Sequence, residues 1–139
     1  MAGGRLVRKF IRTNKLVYSS EAVHLNVKTQ TKSANYTMTA ADSGYITYVD
    51  TDAVVITLPA TVVGMCFTIV NAGKDGTVGV TISPNASDKI QGIGLTAADN
   101  KDLINTKATA KKGDLVTLVG DGVDGWFVAQ CHGTWAREA

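Results

Sequence analysis

The chain has 139 residues and a mass of 14.6 kDa, with 45% hydrophobic and 19% charged residues. A chain of this length buries roughly two-thirds of its unfolded surface, enough for one core without a metal or disulfide staple. The composition excludes a disordered chain, a collagen-like chain and a disulfide scaffold, and no apolar run approaches the ~20 residues needed to cross a bilayer.

The opening MAGGRLVRKFIRTNK lacks the apolar block and small-residue cleavage site of a secretory signal, so synthesis in a cytoplasm is expected. Residues 1–22 read as an extended N-terminal arm, and residues 23–139 as the body. Charge is also split along the chain. Residues 1–32 hold seven bases (Arg5, Arg8, Lys9, Arg12, Lys15, Lys28 and Lys32) against Glu21 alone, whereas residues 33–139 hold seven bases against eleven acids. Such an arm seeks an anionic surface: nucleic acid, a membrane face or an acidic patch on a protein. Leu6, Val7, Phe10, Ile11, Leu16 and Val17 stud it with apolar groups. A pure nucleic-acid tail carries more Lys and Arg and fewer large apolar side chains. Apolar anchors beside steering charges suit a protein surface. Arg5, Leu6, Arg8, Lys9, Phe10, Ile11, Arg12 and Lys15 are therefore the expected docking residues, with neither nucleic acid nor membrane as partner.

The body is expected to be all-β. Val, Ile and Thr number 16, 8 and 17, against five Glu and Gln together, and branched side chains favour pleated surfaces. In chain order, Val23, Leu25 and Val27 alternate as a strand. Tyr36–Thr39 is a second candidate, and Ala40–Gly44 a turn or one helical turn stopped by Gly44. Tyr45–Val49, Val54–Leu58 and Met65–Val70 are strands. Asn71–Gly76 reads as a hairpin-type loop, with Val78, Val80 and Ile82 on the returning strand. Pro84–Asp88 is a turn, and Ile90, Ile93 and Leu95 lie in a loop with a short bridge. Thr106–Ala110 is a further short strand. Leu115–Val119 and Trp126–Cys131 form the clearest pair, joined by a tight loop over Gly120–Gly125. About eight to ten short strands with regular turn signals predict a compact antiparallel β-sandwich or jelly-roll or barrel-like domain.

Little in the sequence suggests chemistry. Cys131 and His132 are adjacent, so on a strand they face opposite ways. His24 has no motif around it. The aspartates cluster in turns, where Asp caps local backbone. Asp121–Gly125 brushes against a calcium loop but lacks the closing Glu. Cys66 and Cys131 read as small hydrophobes, and no metal or cofactor is expected. The repeated pattern at Met38–Ser43 and Leu95–Asn100 reads as a shared turn type. Trp126 and Trp135 are core or interface anchors, or aromatic platforms for a sugar.

From about Tyr36 to Trp135 the chain resembles a small β domain of tailed-phage structural proteins, which include head decoration (cement) proteins, head fibres and tail-fibre modules. The resembling stretches, in order, are YTMTAADSG (36–44), VVITLPA (54–60), FTIVNAG (67–73), VTISPNASDKIQG (80–92) and GDLVTLVGDGVDGWFVAQCHGTW (113–135). The resemblance implies a non-enzymatic, commonly homotrimeric protein on the virion exterior, and supplies no catalytic positions. A repetitive shaft is absent from the sequence, which favours a compact decoration protein whose partner is the major capsid protein of a phage head. The alternative is a tail-fibre or head-fibre tip that binds host-surface glycans.

Overall fold

The computed structural model describes residues 26–92 and 94–139. The strands are β1 (Thr29–Lys32), β2 (Tyr36–Thr37), β3 (Ile46–Val49), β4 (Val54–Thr57), β5 (Cys66–Asn71), β6 (Val80–Ser83), β7 (Lys89–Gln91), β8 (Leu103–Asn105), β9 (Leu115–Gly120), β10 (Gly125–His132) and β11 (Ala136–Arg137). Between β2 and β3 lies one 3-10 turn, Ala40–Asp42. The all-β expectation holds for the described residues.

The strands form two mixed sheets, with orders β1-β3-β5-β9-β10-β7 and β11-β8-β6-β4-β2. The antiparallel expectation is thereby corrected. β1, β3 and β5 run parallel in one sheet, β2, β4 and β6 run parallel in the other, and β7 runs parallel to β10. The cause is how the turns travel. From β1 to β7 each turn carries the chain to the other sheet and each return runs in the original direction; β8 also crosses over, but runs antiparallel to β6. Asn71–Gly76 is one such crossing and not a hairpin. The buried Asn71 side chain accepts from the Gly73 amide (2.9 Å) and donates to the Val78 carbonyl (2.8 Å), curling the loop away from its own sheet. Only Gly120–Gly125 makes the expected hairpin, between β9 and β10.

Several boundaries also move. Of the strand expected over Val23–Val27, residues 23–25 lie outside the described residues and Val27 is exposed and outside any strand; the first described strand begins at Thr29. The strand expected at Thr106–Ala110 is a turn, and Leu103–Asn105 just before it is the strand. Gly44 does end the 3-10 turn, at φ +84°. The two copies of the repeated pattern fold differently: Ala40–Asp42 is helical, whereas the backbone of residues 95–99 makes only isolated bridges, Leu95 with Gly92 and Asp99 with Lys89.

Alternation within the strands builds one core. Val49, Val54, Ile56, Phe67, Ile69, Val80, Ile82, Leu103, Val116 and Leu118 point inward from both sheets into a single apolar cluster. At the start of β3 the buried Asp42 carboxylate ties down the first turn of the body. It accepts from the Thr39 amide (2.8 Å), the Thr39 hydroxyl (3.0 Å), Gln30 Nε2 (3.1 Å) and the Tyr36 hydroxyl (3.1 Å). Burial alone would raise its pKa, but these donors outweigh burial and hold it below the ordinary aspartate range. The folded state therefore favours the ionised form. That stability is complete above about pH 5 and is lost as pH falls through the depressed folded value. Asp50, Asp52, Asp75 and Asp121 are shifted the same way by their hydrogen bonds. The melting temperature is thus expected to fall as pH drops below about 4. Asp42→Asn is expected to flatten that acid limb, and an unchanged slope in a pH series of thermal melts would contradict the assignment.

Candidate functional site

The body's charges follow a rule that follows from pairing. Interior strands have neighbours on both sides, and edge strands need protection against pairing with other chains. Among the described strands, Lys32 on β1, Lys89 on β7 and Arg137 on β11 are the only Lys, Arg, Asp or Glu, and all three strands are sheet edges. The seven interior strands carry none.

This leaves the outward face of the six-stranded sheet neutral across β3, β5, β9 and β10. Register places Tyr48, Val70 and Leu115 in one cross-strand row and Cys66, Val119 and Phe127 in another. Between the rows, the Thr68 and Thr117 hydroxyls bond each other at 2.8 Å, so their polarity is already satisfied. Phe127 is 50% exposed, a large apolar ring on an outer face. Such a surface can meet a protein partner without desolvating any formal charge.

A second apolar feature sits where β9 turns into β10. Val62 and Val63, in the loop before β5, lie over the 120–125 hairpin, which carries Val123. A Cβ added to Gly122 would fall 2.5 Å from Val63 Cγ2, so the two loops touch. Three valines on two loop tips are exposed: Val62 by 51%, Val63 by 77% and Val123 by 83%.

The residues expected to act are placed as follows. Arg5, Leu6, Arg8, Lys9, Phe10, Ile11, Arg12 and Lys15 lie outside the described residues. Trp126 and Trp135 are not surface platforms. Trp126 is wholly buried against Phe67, with ring centroids 5.3 Å apart, and Trp135 is buried with its Nε1 donating to the His132 carbonyl at 3.1 Å. Each extends the apolar core across a sheet end, where an exposed indole would leave a gap. Of the roles expected of them, core anchor or contact platform, their burial fits the packing one.

The turn aspartates cap backbone, as their positions suggest. Asp121 Oδ1 accepts from the amides of Val123, Asp124 and Gly125 at 2.8–2.9 Å, and these donors, Gly125 first, hold its pKa low. Asp88 accepts from the Thr61 amide, and Asp75 from the Lys112 amide. Cys131 faces the core while His132 is exposed, so the two are not a catalytic pair. Burial, with the nearby Asp114 carboxylate, pushes the Cys131 thiol pKa up. Cys66 and Cys131 are both free thiols. Among the described residues no group of three or more His, Cys, Asp or Glu is placed to hold a metal ion, and no helix is long and apolar enough to cross a membrane.

Sequence reasoning missed the neutral face and the valine tip. The face was visible in principle as strands free of Asp, Glu, Lys and Arg. The tip was visible as Val62-Val63 in a loop, where polar residues are the norm. No protein-family model matches the chain, and no curated protein matches it in sequence.

Proposed function

We propose that this chain is a capsid decoration protein of a tailed phage. Its body is a two-sheet sandwich that sits on the head exterior, and its basic leader, residues 1–22, docks on the major capsid protein. The neutral face of the six-stranded sheet is the surface through which copies associate as a homotrimer. It is a structural protein, with no chemistry of its own.

The observation that carries this reading is the segregation of charge. Residues 1–22 hold five bases against one acid and the body nine against eleven, while the interior strands carry no Asp, Glu, Lys or Arg. Such a chain presents a cationic, apolar-studded leader for one partner and an uncharged face for another. Leaders that order on docking bury extra surface at an ordering cost of roughly 2–5 kcal/mol, and trimerisation multiplies the leaders into avidity. The glycan-binding reading has lost its aromatic platforms, because Trp126 and Trp135 are buried.

The experiment is co-sedimentation with phage heads assembled without this chain. Full-length protein is expected to bind, with affinity falling as salt rises. The chain lacking residues 1–22 is expected to keep its circular dichroism spectrum and to lose binding. Undiminished binding by the shortened chain would refute the leader's role.

A further inference from the structure

We propose that the valine tip formed by Val62, Val63 and Val123 is a second protein-docking surface, which seats in an apolar hollow rimmed by basic groups on the same partner that the leader engages. This rests on the function proposed above.

The tip is built rather than floppy. The Thr61 hydroxyl donates to the Gly125 carbonyl and accepts from the Gly122 amide at 3.1 Å, clasping the two loops together. The Gly64 amide donates to the Gly120 carbonyl (3.0 Å), and the Gly120 amide to the Met65 carbonyl (2.8 Å). The Asp121 carboxylate cages the hairpin from inside. A Cβ at Gly120 would fall 2.3 Å from the Val62 carbonyl oxygen, so the backbones run closer there than a side chain allows. Valine has one side-chain torsion and loses little freedom on burial. Exposed, rigid and apolar groups are what an interface core uses at low ordering cost.

Charge chooses the partner class. Asp121 and Asp124 flank Val123 in the hairpin, and Lys89 pairs with Asp124 (3.4 Å) and with Asp99 beyond it (3.3 Å). The rim is net negative. It repels phosphate backbones and anionic headgroups, and it is complementary to basic groups on a protein.

The chain upstream identifies the partner as the one the leader binds. Thr29 aligns with Ile46, and Ile46 with Thr68, while the Ile46 amide donates to the Lys28 carbonyl. Residues 26–28 therefore leave β1 toward the end of the body that bears the 120–125 hairpin. Three strand spacings of about 4.8 Å separate β1 from β9. The 25 residues before Asn26, at up to about 3.3 Å each, span that distance several times over. Residues 26–28 and the tip share one end of the body, and on the function proposed above a partner held there by the leader meets the tip as well.

The test uses the full-length chain and three probes: heads assembled without this chain, the same heads at raised salt, and vesicles of phosphatidylglycerol. The double variant Val63→Ser with Val123→Ser alters exposed side chains only, and Val62→Ser alone is the milder companion. The double variant is expected to keep its melting temperature and to bind heads about tenfold more weakly, the loss of roughly two small apolar contacts. That ratio is expected to persist at raised salt. The leader variant Arg8→Glu with Arg12→Glu is expected to lose binding by a ratio that shrinks with salt. If the leader variant fails while the valine variants bind like wild type, the inference is overturned and the function stands. If wild type does not bind heads, both fall. If wild type binds the vesicles and the double variant does not, the tip is a membrane surface and the inference is overturned.

Discussion

Replacing Trp126 by alanine is expected to lower the unfolding free energy by about 3–5 kcal/mol, the range for removing a buried aromatic ring. Trp126 is 0% exposed and stands inward on β10. Its strand neighbours are Gly120 on β9 and Ile90 on β7. Gly120 brings no side chain to fill the void, and the Val62 backbone pressed against it blocks collapse from that side. The cavity therefore stays open, and Phe67 loses its tilted stacking partner. Trp126→Phe is expected to cost far less than alanine. The indole Nε1 is buried and has no hydrogen-bond partner among the described residues, and an unsatisfied buried donor costs roughly 1–3 kcal/mol. Phenylalanine removes that donor while keeping most of the ring. Chemical denaturation of the three proteins decides it, and equal losses for Phe and Ala would contradict the packing account.

Replacing Asn105 by alanine is expected to cost about 2–5 kcal/mol, because each buried polar group left without a partner costs roughly 1–3 kcal/mol. Asn105 is fully buried at the end of β8. Its Oδ1 accepts from Asn71 Nδ2 (2.7 Å), and its Nδ2 donates to Asp114 Oδ2 (2.9 Å) and to the Thr134 carbonyl (2.9 Å). It thus joins β8 of the five-stranded sheet to β5 and the approach to β9 in the other. Truncation leaves the buried Asp114 carboxylate with the Lys111 amide and takes a partner from Asn71. Gly133 closes the site: a Cβ there would fall 2.2 Å from Asp114 Oδ1, and its φ is +88°. A thermal melt reads the effect, and a shift no larger than that of an exposed control such as Thr109→Ala would show the network to be dispensable.

Much of the body was legible because short strands announce themselves by alternation and by the turns that end them. Val54–Thr57, Cys66–Asn71 and the β9–β10 hairpin stand close to where the pattern places them. Pairing was not legible. A turn such as Asp50–Ala53 has the same composition whether the chain doubles back within a sheet or crosses to the other. What decides here is long-range: the Gly79 amide bonds Asp52 Oδ1, and Ala53 takes φ +62°. The tryptophans were open for a related reason: the sequence allows a core anchor or an exposed platform, and only the fold makes Trp126 the inward residue of its strand and packs Trp135 against the core. The leader was singled out by charge alone, and charge says what it seeks rather than what shape it takes.

The most direct measurement is electron cryomicroscopy of phage heads decorated with the full-length chain, at a resolution that traces side chains. The account predicts three-fold clusters of bodies on the outer surface, with residues 1–22 threaded against capsid protein and the valine tips turned toward the shell. Bare heads, or a leader packed within its own body while the hairpin end points outward, would contradict it.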